Sequence, residues 1–323
     1  MELLTTLFMG TPIWMWVTFL GIVLGLLVLD LGVLHTGSHE IGVAESLKMS
    51  AMYISLGVAF SGFVWWQMDG ASAALYLTAF VVEKTLSMDN VFVIALIFSS
   101  FAVPRAYQHR VLFWGILGVI LLRGLMIGLG ATLVQQYHWV LYIFAAFLVG
   151  TGIKMLLADE KEHDVQGSLP LRLMRRWFRV SDGIKSDAFF VKQSVAGKML
   201  WHATPLFLAL VTVELADLLF AVDSVPAVFA ITTDPFLVYT SNIFAILGLR
   251  ALYFALAAIL HRFAYLKYAL SALLIFIGSK IFVADLMGWE KFPASVSLGV
   301  TLGLLAAGIL YSLYKTRNAT LSA

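Results

Sequence analysis

The chain has 323 residues, of which 61% are hydrophobic and 12% are charged, whereas an ordinary soluble domain carries roughly 25% charged residues. This composition excludes a typical soluble protein and indicates that lipid surrounds most of the chain. Cysteine is absent, which excludes disulfides and thiolate metal sites. The net charge of +2 at pH 7 gives no reason to expect a nucleic-acid partner.

Hydrophobic runs of about 20 residues, the length that crosses the hydrocarbon core, predict an all-α polytopic membrane protein with nine transmembrane helices. In chain order, the predicted spans are residues 14–34, 47–66, 71–99, 111–134, 139–157, 204–231, 236–260, 265–284 and 292–314. If the N-terminus is outside, Lys291 is the one cation on an exterior segment. The positive-inside rule therefore predicts an N-out, C-in protein of the cell inner membrane.

The connection at residues 158–203 is the longest polar segment, and the predicted orientation places it in the cytoplasm. It begins with an acidic stretch and continues with a basic and aromatic amphipathic run at residues 171–179, which suits the headgroup region. The simplest interpretation is a solvated loop on anionic lipid. A docking surface for a protein partner is the alternative that the sequence leaves open.

An internal repeat is visible in three separate motifs. A pattern of Gly, Lys, Ala and Asp at residues 152–159 recurs at residues 278–285, and Ile-Leu-Gly followed by arginine recurs at 116–123 and 246–250. Further upstream, Glu83, Asp89 and Asn90 match Asp217, Asp223 and Ser224 with the same spacing. We infer that the chain contains a duplication.

Each repeated unit contains three spans, the third to fifth and the sixth to eighth. An odd number of crossings forces the second unit to enter from the opposite side, so the repeats are predicted to be inverted, as in many secondary transporters. The sequence thus divides into five parts: two N-terminal helices (1–70), the first repeat (71–159), the cytoplasmic loop (160–203), the second repeat (204–286) and a last helix with a cytoplasmic tail (287–323).

Ionisable residues inside the spans are candidates for function, because a charge at the bilayer centre is costly. The acids there are Asp30, Glu83, Asp89, Glu214, Asp217 and Asp223. The cations are Lys84, Arg123, Arg250, Lys154 and Lys280, and the last two are expected to reach opposite membrane surfaces from the ends of their spans. The remaining excess of acid must be protonated or must hold a cation.

Helical spacing divides the repeated polar residues into two sets. Residues seven apart share a face of a helix, so Glu83 and Asn90 form one stripe, and Asp217 and Ser224 form its copy. Together with the repeated acids Asp89 and Asp223, which point elsewhere on an ideal helix, they form a hard oxygen set of the kind that Mn²⁺, Ca²⁺ or Mg²⁺ prefers.

A proline beside the second acidic motif suggests one further ligand. Pro226 has no amide hydrogen, so the carbonyl of Val222 loses its usual donor next to Asp223. A free carbonyl beside a carboxylate is a plausible ligand of a hard cation, and broken helices are tolerated in membranes where they line a cavity.

Simple ion pairing is the competing interpretation of these charges. Lys84, Arg123 and Arg250 can neutralise three of the acids, and for Asp30 pairing and function are equally good interpretations. For the repeated acids a cation site is the better interpretation, because pairing alone does not require acids at the same spacing in both halves.

The motifs that carry these acids resemble the TerC/Alx family of integral membrane proteins, named for tellurium resistance and for a pH-responsive manganese exporter. The resemblance rests on EKTLSMDNVFV at residues 83–93 and VELADLLFAVDSVPAVFAITTDPFLVYTSNIFAILGLRALY at residues 213–253, and the chain is most similar to the Alx branch. It implies export of Mn²⁺ from the cytoplasm. It also implies that Glu83, Asp89, Glu214, Asp217 and Asp223 serve as metal-site or pathway residues.

The leading hypothesis is therefore an alternating-access exporter with Mn²⁺ as substrate, proton exchange as driving force, and no tightly bound cofactor or enzymatic activity. The alternative is a membrane partner that supplies metal to exported enzymes or anchors a stress-resistance complex through the loop at 158–203. An intramembrane aspartyl protease is disfavoured, because neither aspartate context resembles the signatures of that class.

Overall fold

Nine α-helices make up most of the described chain. The computed structural model describes residues 5–29, 43–137, 139–157, 180–181, 183–184, 186–195, 198–256, 266–289 and 292–317. Each helix in these ranges overlaps one predicted span. The helices are α1 Ile13–Leu29, α2 Val43–Gln67, α3 Gly70–Ser100, α4 Arg105–Gln136, α5 Val140–Leu157, α6 Pro205–Phe229, α7 Pro235–Leu256, α8 Leu266–Leu286 and α9 Ala294–Arg317.

Seven of the described helices are long and apolar enough to cross a membrane, namely α2 and α4 to α9. Helix α1 is apolar but has only 17 residues in the described part of the chain, and α3 has 31 residues that include Glu83, Lys84 and Asp89. The chain is therefore a mostly helical, multi-pass membrane protein. The passage of α1 and α3 through the bilayer stays a prediction.

The distribution of side chains on α4 is the reverse of that on a helix of a soluble protein. Leu121, Leu125 and Leu129 lie one turn apart and are 74%, 62% and 59% exposed, while Arg123 on the same helix is 1% exposed. Lipid solvates apolar side chains as well as a protein core does. The charged side chain therefore faces the interior of the bundle, where it can find partners.

The helices of the two predicted repeats pack across one another. Helix α3 lies against α6 and α7, α4 lies against the same two helices, and α5 packs along α8. Outside this group, α2 covers α3 and α7, and α9 lies against α3 and α8. The first two helices of each predicted repeat thus enclose a common centre, which lies between α3, α4, α6 and α7.

The α5–α8 contact depends on two glycines at matching positions of the repeats. A Cβ atom on Gly152 would lie 2.8 Å from the carbonyl oxygen of Ser271, and one on Gly278 would lie 2.6 Å from the carbonyl oxygen of Ala145. These backbones approach too closely for any side chain at either position. Small residues commonly permit this kind of packing between membrane helices.

An aromatic cluster joins α1 and α2 to α7. The ring of Phe60 lies 4.8 Å from that of Phe244, and the ring of Phe19 lies 5.5 Å from the same partner. All three side chains are buried. The cluster holds α7 in place, with its other face toward α3 and α4.

Two short hairpins accompany the helices, so the fold is not purely α-helical. The first pairs β1 (Leu7–Phe8) with β2 (Thr11–Pro12). The second pairs β3 (Phe190–Val195) with β4 (Lys198–Ala203) and ends directly before α6. The sequence analysis treated this second segment as loop and missed the hairpin. The acidic and amphipathic stretches predicted at residues 159–179 lie outside the described residues.

Candidate functional site

Arg123 is the centre of a buried polar cluster between α3, α4, α6 and α7. Its guanidinium forms ion pairs with Glu83 of α3 and Asp217 of α6. Nη2 lies 3.0 Å from Oδ1 of Asp217, and Nε lies 3.2 Å from Oδ2 of the same carboxylate. Glu83 is 0% exposed and Asp217 is 7% exposed. Arg123, a candidate for charge balance in the sequence, is therefore paired with one acid from each predicted repeat.

The two predicted stripes meet at this cluster. Asn90 Nδ2 donates to Oδ1 of Asp217 over 3.4 Å, and Ser224 and Glu83 both accept from Nη1 of Arg123. The distance from Nη1 to the Ser224 hydroxyl is 3.1 Å. The residues predicted to share a face, Glu83 with Asn90 and Asp217 with Ser224, are thus brought together at the helix crossing.

Asn242 of α7 also belongs to the cluster, and the sequence analysis missed it. Its Oδ1 accepts a hydrogen bond of 2.9 Å from Nη1 of Arg123. The side chains of Thr240, Ser241 and Asn242 are all 0% exposed. Three consecutive polar residues in an otherwise apolar span were a signal that could have directed attention to this position.

Glu214 lies beside the cluster, in a space that a glycine creates. A Cβ atom on Gly118 of α4 would lie 2.5 Å from Oε2 of Glu214 and closer still to the rest of the carboxylate. Glu214 precedes Asp217 by three residues, so the two acids are neighbours along one side of α6. Its Oε2 atom is buried and has no hydrogen-bond partner within the described part of the chain.

Lys84 faces α7 instead of the Arg123 cluster. Its Nζ donates to the carbonyl oxygen of Ala245 over 3.0 Å. A Cβ atom on Gly248 would lie 2.7 Å from the same Nζ. Gly248 is the repeat counterpart of Gly118. In the second helix of each predicted repeat, this glycine leaves space for a charged side chain of the other repeat, Glu214 at Gly118 and Lys84 at Gly248.

Several predicted site residues are only partly described. Asp30 lies outside the described residues, as do the side chains of Asp89, Asp223 and Arg250. The side chain of Val222 is exposed, and α6 continues through Pro226 without a break. The helix is therefore not unwound as the sequence analysis considered, although Pro226 still offers no amide hydrogen to the carbonyl of Val222.

A small cavity of about 40 Å³ reaches the cluster from one end of the bundle. Asn90 and Asp217 lie at its polar end, and apolar residues from the C-terminal halves of α3 and α7 and the N-terminal halves of α4 and α6 form its walls. A cavity needs roughly 10–15 Å³ to hold one water molecule. The cavity can therefore hold a few water molecules beside Asp217.

A larger cavity of about 700 Å³ lies at the opposite end of α3, α4 and α6 and is also lined by α5 and α8. Lys280 lines it, is 5% exposed, and donates from Nζ to the Ser297 hydroxyl over 3.2 Å. The side chain of Lys154, its repeat counterpart, is exposed. That these two lysines reach opposite membrane surfaces stays a prediction.

The described acids do not form a ready-made metal centre. No group of three or more His, Asp or Glu residues close enough to hold a metal ion is found among the described residues. The cluster instead contains two carboxylates held by one guanidinium, with hydroxyl and amide oxygens around them. Glu83 Oε2 is buried and has no hydrogen-bond partner in the described part of the chain, so the cluster retains acceptor capacity for a cation or a proton.

A multi-pass helical bundle with charged residues buried at its centre defines an integral membrane protein in which those residues are candidates for function. Comparison with known proteins identifies the family. The family described as "Integral membrane protein TerC family" matches residues 68–320. The chain therefore belongs to the TerC family.

Relatives share most of their length with this chain. A membrane protein of Myxococcus xanthus, STKORF319, is 44% identical over 97% of this chain and 96% of its own. A membrane protein of Rickettsia bellii is 45% identical over 93% of this chain and 97% of its own. The Escherichia coli K12 protein named "Putative membrane-bound redox modulator Alx" is 44% identical, with 92% of each chain covered. No solved structure matches this chain.

Proposed function

We propose that this protein is a secondary transporter that exports a hard divalent cation, most simply Mn²⁺, from the cytoplasm across the inner membrane. One observation carries the proposal. Glu83 and Asp217, which occupy equivalent positions of the two repeats, meet in the protein interior on a single guanidinium. A structural ion pair needs only one acid for each base, whereas an exchangeable cation site needs surplus carboxylate.

Inverted repeats provide the framework for alternating access in this proposal, with nine spans in an N-out, C-in arrangement. Reciprocal contacts support the repeats. Gly152 contacts Ser271, and Gly278 contacts Ala145. Gly278 is the repeat counterpart of Gly152, and Ser271 is the counterpart of Ala145, so the two contacts are equivalent. Asn90 contacts Asp217, and their counterparts Ser224 and Glu83 both contact Nη1 of Arg123. Two units related in this way can rock against each other around the shared site.

The ligand set of the proposed site consists of oxygen atoms alone. Glu83, Asp217, Asn90 and Ser224 are in place at the cluster, and Glu214 lies next to it. The proposal adds the carboxylates of Asp89 and Asp223 and the carbonyl of Val222. Such a set suits Mn²⁺, Ca²⁺ or Mg²⁺, and the choice of Mn²⁺ depends on the resemblance to the Alx branch. Asp30 and Arg250 are assigned to the pathway or to charge balance.

Access to the site fits loading from the cytoplasm. In the proposed orientation the small cavity that ends at Asn90 and Asp217 opens toward the cytoplasm, and the larger cavity at Lys280 faces outside. Acids that lose protons at the cytoplasmic face bind the cation, and protons taken up on the outer face release it. Proton exchange is therefore the proposed driving force, and no enzymatic step or tightly bound cofactor is needed.

A membrane-partner role is the second candidate, and the β3–β4 hairpin favours it. Met199 and Trp201 are exposed on this hairpin at the end of the 158–203 connection, where a protein that receives metal could dock. The name of the Escherichia coli relative suggests a redox role. This chain has no cysteine, so a redox role here cannot use a thiol–disulfide pair.

Cellular metal content tests the proposal. The variants Glu83→Gln, Asp89→Asn, Asp217→Asn and Asp223→Asn should raise cytoplasmic Mn when each replaces the wild-type protein, because each removes one carboxylate of the site. Arg110→Gln is the matched control, since its ion pair with Asp187 is exposed and lies at the helix end. Normal expression with unchanged Mn in all four variants would contradict the proposal.

A further inference from the structure

We propose that Arg123 is a tethered counter-cation, which occupies the carboxylates of the site when the substrate is absent and leaves them when the substrate binds. This inference depends on the proposed transport function and specifies how the empty site is neutralised. It assigns Arg123 a part in the transport cycle, beyond that of a fixed brace between helices.

The geometry makes the guanidinium and a metal ion competitors. Nε and Nη2 occupy both carboxylate oxygens of Asp217, while Nη1 contacts Glu83, Ser224 and Asn242. These are the oxygens that a hard cation at the repeat interface would need. Arg123 is 1% exposed, so these partners enclose it. A cation can use the lone pairs that the guanidinium occupies only if the guanidinium withdraws.

Charge balance leads to the same conclusion. When all three groups are ionised, Arg123 leaves the pair of Glu83 and Asp217 with one net negative charge, whereas a divalent cation neutralises the pair. On these two carboxylates alone, both cations together would leave one net positive charge in a low-dielectric interior, which is unfavourable. Either cation by itself leaves the pair neutral or with one net negative charge.

Glu214 provides a place to which the guanidinium can move. It lies three residues before Asp217 on α6 and packs against Gly118 of α4, the helix that carries Arg123. Its buried Oε2 atom has no hydrogen-bond partner in the described chain. A shift of the guanidinium from Glu83 and Asp217 toward Glu214 exchanges two carboxylate partners for one, whose Oε2 atom is buried.

Arg123, as a counter-cation attached to the protein, should affect net transport more than exchange. After the substrate leaves, two unpaired buried carboxylates would hinder the return of the empty carrier, because isolated charges in the bilayer interior are costly. Arg123 neutralises one of them, and a proton taken up on the outer face neutralises the other, which permits the return. A carrier without this arginine can still move in its metal-loaded form, so exchange of one metal ion for another should continue while net export stops.

Proteoliposomes that contain the purified protein distinguish these two modes. In Arg123→Gln, net Mn²⁺ efflux should fall about tenfold or more, whereas exchange of radioactive Mn²⁺ for unlabelled Mn²⁺ should fall by a much smaller factor. Arg123→Lys should recover part of the net efflux, because it keeps the tethered charge. Equal loss of exchange and net efflux in a folded Arg123→Gln protein would overturn the proposal.

Metal binding in detergent provides a second measurement that needs no transport. If Arg123 competes with the substrate, Mn²⁺ should stabilise Arg123→Gln against thermal unfolding at about tenfold lower concentration than the wild type, since the competing state is removed. Unchanged or weaker binding would mean that Arg123 is a structural brace. If wild-type protein shows neither exchange nor net efflux, the transport function itself fails, which is a separate outcome.

Discussion

Gly118→Ala tests whether the position of the Glu214 carboxylate matters for transport. Gly118 lies on α4 opposite Glu214, and the new methyl group would lie 2.5 Å from Oε2 of that side chain. The atom in the way is the end of a flexible side chain and not backbone. Glu214 should therefore rotate away while α4 and α6 keep their positions.

The size of the displacement follows from the same geometry. Ordinary van der Waals contact begins at 3.4 Å, so Oε2 must move by at least about 0.9 Å, the difference between 3.4 and 2.5 Å. In the interior of a helix, alanine is favoured over glycine by about 1 kcal/mol, so the fold should lose little stability. A misplacement of about 1 Å can reduce a rate by about 100-fold. We therefore expect Mn²⁺ efflux to fall between about tenfold and 100-fold in a protein of nearly unchanged stability.

Gly128→Ala is the matched control for this experiment. Gly128 lies on the same helix, and a Cβ atom there would meet nothing within 4 Å. Gly118→Ala and Gly128→Ala each add one methyl group, and each raises the helix propensity of α4 by the same amount. Thermal unfolding and proteoliposome efflux should be measured for both. Equal efflux from Gly118→Ala and Gly128→Ala would refute a role for the placement of Glu214.

Two further predictions concern Pro226 in α6 and Asp69 at the start of α3. Pro226→Ala restores an amide donor to the carbonyl of Val222, so the free energy of unfolding should rise, by about 3 kcal/mol, and Mn²⁺ binding should weaken. Thermal unfolding with and without Mn²⁺ measures both effects, and unchanged binding would exclude this carbonyl as a ligand. The backbone N–H of Ser72 donates to the Asp69 carboxylate over 2.7 Å and lowers the pKa of that carboxyl below its ordinary 3.8. The ionised carboxylate therefore stabilises the folded protein above the unfolded-state pKa. This stabilisation is lost as the pH falls through the lower pKa of the folded state. Asp69 is the N-cap of α3, so Asp69→Ala should lower the free energy of unfolding by about 1 kcal/mol at neutral pH, and Asp69→Asn by much less. Unfolding measured from pH 7 to 3 tests this. Equal stability of the wild type and both variants at pH 7 would contradict a stabilising N-cap.

The helices were predictable because lipid leaves few alternatives to them. Every backbone polar group in the bilayer needs an internal partner, so long apolar runs must become helices. Their ends were less predictable. The span predicted at 111–134 is part of a helix that runs from Arg105 to Gln136, because a helix can continue into the aqueous region after the apolar run has ended.

The polar cluster was predictable only within single helices. A spacing of seven residues places Glu83 with Asn90 and Asp217 with Ser224, and the structure brings both pairs together. The choice of Arg123 as their partner was not predictable, because it depends on how α4 packs against α3 and α6. Local sequence contains no information about such crossings.

Contacts between repeats account for what the sequence analysis missed. Gly118 was recognisable in the sequence as part of a repeated Ile-Leu-Gly pattern, but the space that it leaves for Glu214 follows only from the α4–α6 contact.

The β3–β4 hairpin was not predicted, for a different reason. The segment was judged by its polarity, although residues 190–203 contain two strand-length runs around a two-residue Ala-Gly connection, which is a hairpin signal.

Flux through the purified protein tests the central claim most directly. The chain alone should be reconstituted into liposomes with an imposed pH gradient, and the movement of Mn²⁺, Ca²⁺ and Zn²⁺ should be compared between wild type and Asp217→Asn. We predict gradient-dependent Mn²⁺ flux in the wild type, little Zn²⁺ flux because the proposed ligands are all oxygen, and loss of Mn²⁺ flux in the variant. Absence of flux for all three ions from correctly folded wild-type protein would contradict the transport account.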